Sequence, residues 1–214
     1  MTQITNADYW IELLKKTPRS YKEWFKGEEK YLQSRITKNA HVLDIGCGDG
    51  RSIFDIISIT ENVIGIDHDQ KAIDQALKNF KDYPAVIFKR DDATNLSFPN
   101  ETFDFVICMG TFVNFADKKY VALEEMKRVL KKSGRIIISV FSEDALDERI
   151  TVYKTLGIKI KEIKGGKVTF DESVGDNISE QFSRQELKNI FSRTLLKIED
   201  IQKVSIGYLI TLSK

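Results

Sequence analysis

Cysteine and histidine are scarce in this 214-residue chain, two of each, and neither type falls at metal-ligand spacing. Cys47 and Cys108 sit at the ends of apolar runs and read as buried free thiols in a reducing cytoplasm. Three prolines leave no Pro-rich linker, and no repeat or low-complexity stretch divides the chain. No apolar run reaches the roughly 18 residues of a membrane span. The segment Met1–Asp8 lacks the basic and apolar regions of a secretory leader. An excess of one charge sign is also missing: 33 Lys+Arg against 32 Asp+Glu, formal net charge +1. Such a chain has no global attraction to nucleic acid or anionic lipid. What is present, 42% hydrophobic and 30% charged residues, describes one globular domain with one core. The expectation is a cytoplasmic monomer or homodimer without metal, membrane or nucleic-acid partner.

Patterning predicts an irregular helical segment from about residue 8 to 36. Its two apolar clusters, Trp10, Ile11, Leu13, Leu14 and Tyr21, Trp24, Phe25, Tyr31, Leu32, are parted by Pro18. Strand and helix then alternate. Strands are expected at 41–45, 63–66, 85–89, 103–108 and 135–141. Helices carry Ser52–Ile57 and Ala72–Phe80, and a third spans about 118–131, closing at Ser133-Gly134. Repeated β–α–β units with β-branched strands argue for a parallel sheet covered on both faces. The last third predicts a helix over 144–156, a hairpin of 158–163 with 167–170 around Gly165-Gly166, and a helix opened by a Ser183/Glu186 capping box. A final pair, 196–204 and 208–212, is joined too tightly for anything but antiparallel pairing. The division is 1–39 (helical cap), 40–141 (cofactor-binding half), 142–181 (insert) and 182–214.

The sharpest signal is Val42-Leu43-Asp44-Ile45-Gly46-Cys47-Gly48-Asp49-Gly50. Alternate glycines after a buried strand let the backbone approach a ligand where a Cβ would intrude. The dinucleotide fingerprint wants a small residue at its sixth position, and here that position is Arg51. The D-x-G-x-G-x-G pattern instead resembles motif I of the class I S-adenosylmethionine-dependent methyltransferases. Asp67 ends the second strand about 20 residues on, where a carboxylate meets a ribose diol. Asp91-Asp92-Ala93 with Leu96-Ser97-Phe98-Pro99 looks like the family's adenine segment, Phe103–Gly110 like its fourth strand, and Glu125–Arg135 like its E-x-x-R-V-L-K-P-G-G turn.

The resemblance implies a doubly wound, Rossmann-like seven-stranded sheet, order 3-2-1-4-5-7-6, with strand seven antiparallel. It implies S-adenosyl-L-methionine as cofactor, held at Asp44, Gly46, Cys47, Gly48, Asp67, His68, Asp91, Asp92, Ala93, Cys108 and Met109.

An activated methyl group needs alignment more than a nucleophilic side chain. Asn114 and Asp117 are the candidates beside the acceptor; family members often carry a histidine near Asn114, and an amide cannot act as a base. No N-P-P-Y-type tetrad follows strand four, which argues against planar amides and base amines as acceptors. Tyr21, Trp24 and Asn114 are the candidate acceptor-side contacts, and the insert is expected to cap that side without extending the sheet. The reading is a methyltransferase acting on an oxygen or nitrogen of a small molecule. A protein or tRNA group as acceptor, or a cofactor-binding module without turnover, are the alternatives. Lys159, Lys161, Lys164 and Lys167 offer tRNA a local basic stripe, equally the wet face of a strand.

Overall fold

The computed structural model describes residues 18–171 and 178–214. Pro18 precedes helix α1 (Arg19–Gln33), whose inward stripe is Tyr21, Trp24, Glu28, Tyr31 and Leu32, the helical spacing of a buried face. The apolar cluster at residues 10–14 lies outside the described residues. Strand β1 (Val42–Ile45) is buried along its length and leads through the glycine turn to α2 (Arg51–Phe54). Then follow β2 (Val63–Asp67), α3 (Gln70–Asn79) and β3 (Ile87–Arg90). Next come β4 (Phe103–Met109), two 3₁₀ turns (Phe112–Asn114 and Ala116–Lys118), α4 (Lys119–Val129) and β5 (Leu130–Phe141). A 3₁₀ turn (Glu143–Ala145) and α5 (Leu146–Thr155) open the insert, which continues in β6 (Ile160–Lys164), β7 (Lys167–Phe170) and β8 (Ile178–Glu180). The chain closes with α6 (Arg184–Arg193), β9 (Lys197–Val204) and β10 (Gly207–Ser213).

Among the described residues the main sheet has the order β3-β2-β1-β4-β5-β10-β9. The first five strands pair in parallel, and β10 runs antiparallel to both β5 and β9. This is the expected topology. The link Ser205-Ile206 is too short for a crossover, so β10 must reverse. The Ser183–Glu186 capping box opens α6 as expected. Strands β6–β8 form a separate antiparallel sheet.

Four local expectations need correction. The helix expected to reach residue 131 ends at Val129, and β5 begins at Leu130, opposite Phe103. Lys131 Nζ reaches Asp104 Oδ1 at 2.8 Å, and a Cβ on Gly134 would stand 2.8 Å from the Asp104 carbonyl. Cross-strand contact with β4 thus draws the segment into the sheet. The helix expected over Ser52–Ile57 is a single turn, and the third strand starts two residues late. Strand β8 gave no signal of its own: three residues are too few to show a period of two.

Candidate functional site

The ends of β1, β2 and β3 and the turn after β4 converge on one edge of the sheet. Gly46, Gly48 and Gly50 have φ of +69°, +56° and +95°, the left-handed region that glycine enters without penalty. A Cβ on Gly46 would meet Thr111, whose Oγ1 donates to the Gly46 carbonyl at 3.0 Å. At Gly48 the space beyond Cα is open for 4 Å.

Asp67 organises this turn. Its Oδ2 accepts from the Gly48 N–H at 3.0 Å and its Oδ1 from the Asp69 N–H at 2.9 Å. Burial raises its pKa, and the two backbone donors work against that rise. Asp44 lies beneath the turn, fully buried. Its Oδ2 accepts from Ser52 Oγ at 2.6 Å, while its Oδ1 is buried without a partner. Burial pushes this carboxyl up to about 7, against the Ser52 hydrogen bond and the Arg51 charge.

A cleft of about 530 Å³ runs along this edge. Of the residues expected at the site, it is lined by Gly46, Asp67, His68, Asp91, Asp92, Ala93 and Asn114. Asp92 Oδ1 accepts from the Thr94 N–H and hydroxyl, both at 2.8 Å, which lowers its pKa. Asp91 Oδ2 accepts from Ser97 Oγ at 2.6 Å and shapes the loop. Arg90, Thr94, Thr111, Phe115 and Lys118 also line the cleft and were not singled out in the sequence. The only available signal was their position: Arg90 closes β3, and the other four fall two to nine residues after β3 and β4.

Other expected site residues lie elsewhere. Cys47, Cys108 and Met109 are buried core side chains outside the lining, and burial raises both thiol pKa values. Asp117 is exposed and outside the lining. Tyr21 and Trp24 are fully buried, their rings 5.8 and 4.4 Å from that of Phe141. They pack α1 onto the sheet and do not form the wall of this cleft.

The glycine edge, the acid at the end of β2 and the acid after β3 stand in one cleft in the order the resemblance requires. Residues 42–134 match the family described as a methyltransferase domain. Residues 42–134 are therefore a methyltransferase domain of the class I S-adenosylmethionine-dependent kind. Its fold is shared with a crystal structure of a protein from Pyrococcus horikoshii OT3, TM-score 0.73 over 92% of both chains at 24% identity. Among curated relatives, the mouse eEF1A lysine and N-terminal methyltransferase is 28% identical over 63% of this chain and 20% of its own length. The demethylmenaquinone methyltransferase of Bacillus licheniformis is 30% identical over 55% of this chain and 52% of its own length. The chain therefore spans between a fifth and about half of these relatives.

The residues present fit the family's cofactor. Asp44 and Gly48 stand outside the cleft's lining; Asp44 keeps one buried oxygen without a partner, and the Gly48 N–H holds Asp67 at the cleft. Asp67 and Asp92 stand further along the cleft as hydrogen-bond acceptors. Among the described residues, no helix is long and apolar enough to cross a membrane.

Proposed function

We propose that this protein transfers a methyl group from S-adenosylmethionine to an oxygen or nitrogen of a small-molecule acceptor. The observation that carries the reading is the single cleft joining Gly46, Asp67 and Asp92 to Asn114 of the turn after β4. Asp67 accepts from the ribose hydroxyls, Asp92 from the adenine amino group, and Gly46 and Gly48 admit the cofactor's backbone-facing edge. When bound, S-adenosylmethionine supplies an electrophilic methyl group on a positively charged sulfur.

Asn114 can orient an acceptor through its amide but cannot take a proton. Asp117 lies outside the lining and does not serve as a base there. Transfer of that methyl group to the acceptor's lone pair would leave the carbon–sulfur electron pair on sulfur, and the acceptor's O–H or N–H proton would pass to solvent. Alignment and exclusion of water supply the rate.

A small acceptor is favoured by the way the insert closes the turn after β4. Phe182 reaches Phe112 at 6.0 Å, and the Lys119–Glu180 ion pair, 2.8 Å, ties β8 to the start of α4. The name of the mouse relative favours a second reading, a protein amine as acceptor. Calorimetric titration with S-adenosylmethionine, S-adenosylhomocysteine and NAD tests the cofactor assignment. The first two should bind and NAD should not. Asp67→Ala should cost about 1–3 kcal/mol of S-adenosylhomocysteine affinity, the scale of a hydrogen bond to a charged group. An unchanged affinity would remove Asp67 from the site.

A further inference from the structure

The segment after β4 makes two 3₁₀ turns that meet at Ala116, and this joint has φ +49°. A residue other than glycine in the left-handed region costs backbone strain, and such strain gathers at functional sites. On either side of the joint Asn114 and Lys118 both line the cofactor cleft, while Asp117 between them does not. The next lysine is used differently: Lys119 is buried and paired with Glu180 of β8 at 2.8 Å. Lys118 is exposed and lines the cleft, so it stands at the mouth, where a ligand enters.

The polar groups of the cleft divide into those already engaged and those free. Asp67 accepts from two backbone N–H groups, and Asp92 from Thr94. Asp91 accepts from Ser97 Oγ at 2.6 Å and from the Asp92 N–H at 3.0 Å. Arg90 donates through Nε to the His68 carbonyl at 3.0 Å. The side chains of Asn114 and Lys118 have no hydrogen bond or ion pair among the described residues. Lys118 is near enough to add to the lowering of the Asp92 pKa that the two Thr94 bonds begin, yet it makes no ion pair with that carboxylate. The capacity left free at this end of the cleft is one ammonium and one amide.

We propose that Lys118 anchors an anionic oxygen group, carboxylate or phosphate, carried by the methyl acceptor, while Asn114 orients the rest of that molecule. The inference rests on the methyltransferase reading above and names the substrate class for it. An ammonium can only donate, and an ionised carboxylate or phosphate oxygen accepts. A filled cleft holds the cofactor's positive sulfur and excludes water, so a cation on its wall is costly unless an anion meets it. The carboxylates of the cleft do not meet that need, because hydrogen bonds hold each of them in its own loop. An anionic acceptor does, whereas an ammonium-bearing one would face two like charges. The break at Ala116 also keeps the acid of this turn, Asp117, out of the cleft. With its charge countered the anchored group is a poor nucleophile, so the methyl group would go to another oxygen or nitrogen of the same molecule. The proton of that atom would pass to solvent, and the product would keep its negative charge.

The test uses the full chain, methyl-labelled S-adenosylmethionine and a small-molecule metabolite extract, with products separated by anion exchange near neutral pH. The expected result is label in the fraction retained as anions. Phosphatase treatment of that fraction frees a label held by a phosphate and leaves one held by a carboxylate retained. With the extract limiting, Lys118→Met should lose about tenfold in label transfer, the effect of one charge-assisted hydrogen bond. Lys118→Arg should restore most of it, and both variants should bind S-adenosylhomocysteine as wild type does. Label in neutral, cationic or macromolecular products overturns the proposal, as does full transfer by Lys118→Met. A loss of S-adenosylhomocysteine affinity in Lys118→Met equal to its loss of transfer would make Lys118 a cofactor contact and equally overturn it. Absence of label in every fraction, with S-adenosylhomocysteine still bound by wild type, rejects the anionic acceptor and spares the cofactor assignment. Failure of wild type to bind S-adenosylhomocysteine falls on the methyltransferase reading itself.

Discussion

Asp44 carries its consequences in one proton. Its carboxyl stands at about 7 in the folded chain against 3.8 ordinarily, chiefly through burial. Between about pH 4 and pH 7 the folded chain keeps a proton that the unfolded chain has released, so stability falls as pH rises through that window. Glu28, Asp55 and Asp67 are raised for the same reason, so wild type alone would blend four titrations. The difference between wild type and Asp44→Asn isolates one. Melting temperatures from pH 5 to pH 8 should fall less steeply for Asp44→Asn. Parallel curves would show that Asp44 does not titrate there. Asp92 behaves differently because it is exposed and its carboxylate accepts from the nearby Thr94. Asp92→Ala should leave stability within about 0.5 kcal/mol, as surface substitutions do. It should abolish discrimination between adenosine-type and inosine-type cofactor analogues, read by competition binding.

At the level of elements, α4 does more than end in a turn. Glu125 Oε2 accepts from the Leu96 N–H at 2.8 Å, and Arg128 donates to the carbonyls of Phe98 at 2.7 Å and Leu96 at 2.8 Å. The pair, itself joined at 2.8 Å, fastens the loop from Asp91 to Pro99 against the helix. Arg128→Met should therefore lower S-adenosylhomocysteine affinity several-fold without touching the ligand, with a stability loss of about 1.5–3 kcal/mol. Calorimetry and urea melts separate the two effects, and intact affinity would show that the loop holds itself. The insert divides in the same physical way. Strands β7 and β8 bury Val168, Phe170 and Ser179, whereas β6 exposes Lys161 to Lys164. Hydrogen exchange should be fast in β6 and slow in β7 and β8. Uniformly slow exchange would make the whole insert a rigid part of the fold.

For the whole molecule, the cofactor cleft joins elements that are far apart in sequence. The buried Glu28 of α1 pairs with Arg51 of α2 at 2.8 Å and accepts from Ser139 of β5. Ligand binding should therefore be felt globally. S-adenosylhomocysteine at a hundred times its Kd adds about 2.7 kcal/mol to a protein that binds it only when folded. For a chain of this size that is a rise in melting temperature of about 5–10 °C, seen in one transition. Two separated transitions would mean that the insert or α1 unfolds independently of the sheet.

Local chemistry was readable from residues alone. The glycine turn, the capping box at Ser183 and the forced reversal of β10 depend on neighbours within a few positions, so short-range sterics and hydrogen bonding determine them. The β–α–β alternation followed from patterning for the same reason. Only the tertiary structure decided what depends on distant partners. Leu130 joins β5 because Phe103 is there to pair with it, and β8 exists because β7 offers it an edge. Thr111 and Lys118 face the cleft, while Cys108 and Met109 from the adjoining strand face the core. A hydrophobic pattern tells that Tyr21 and Trp24 are inside. It takes the packed helices to show that their polar tips are buried there with nothing to bind.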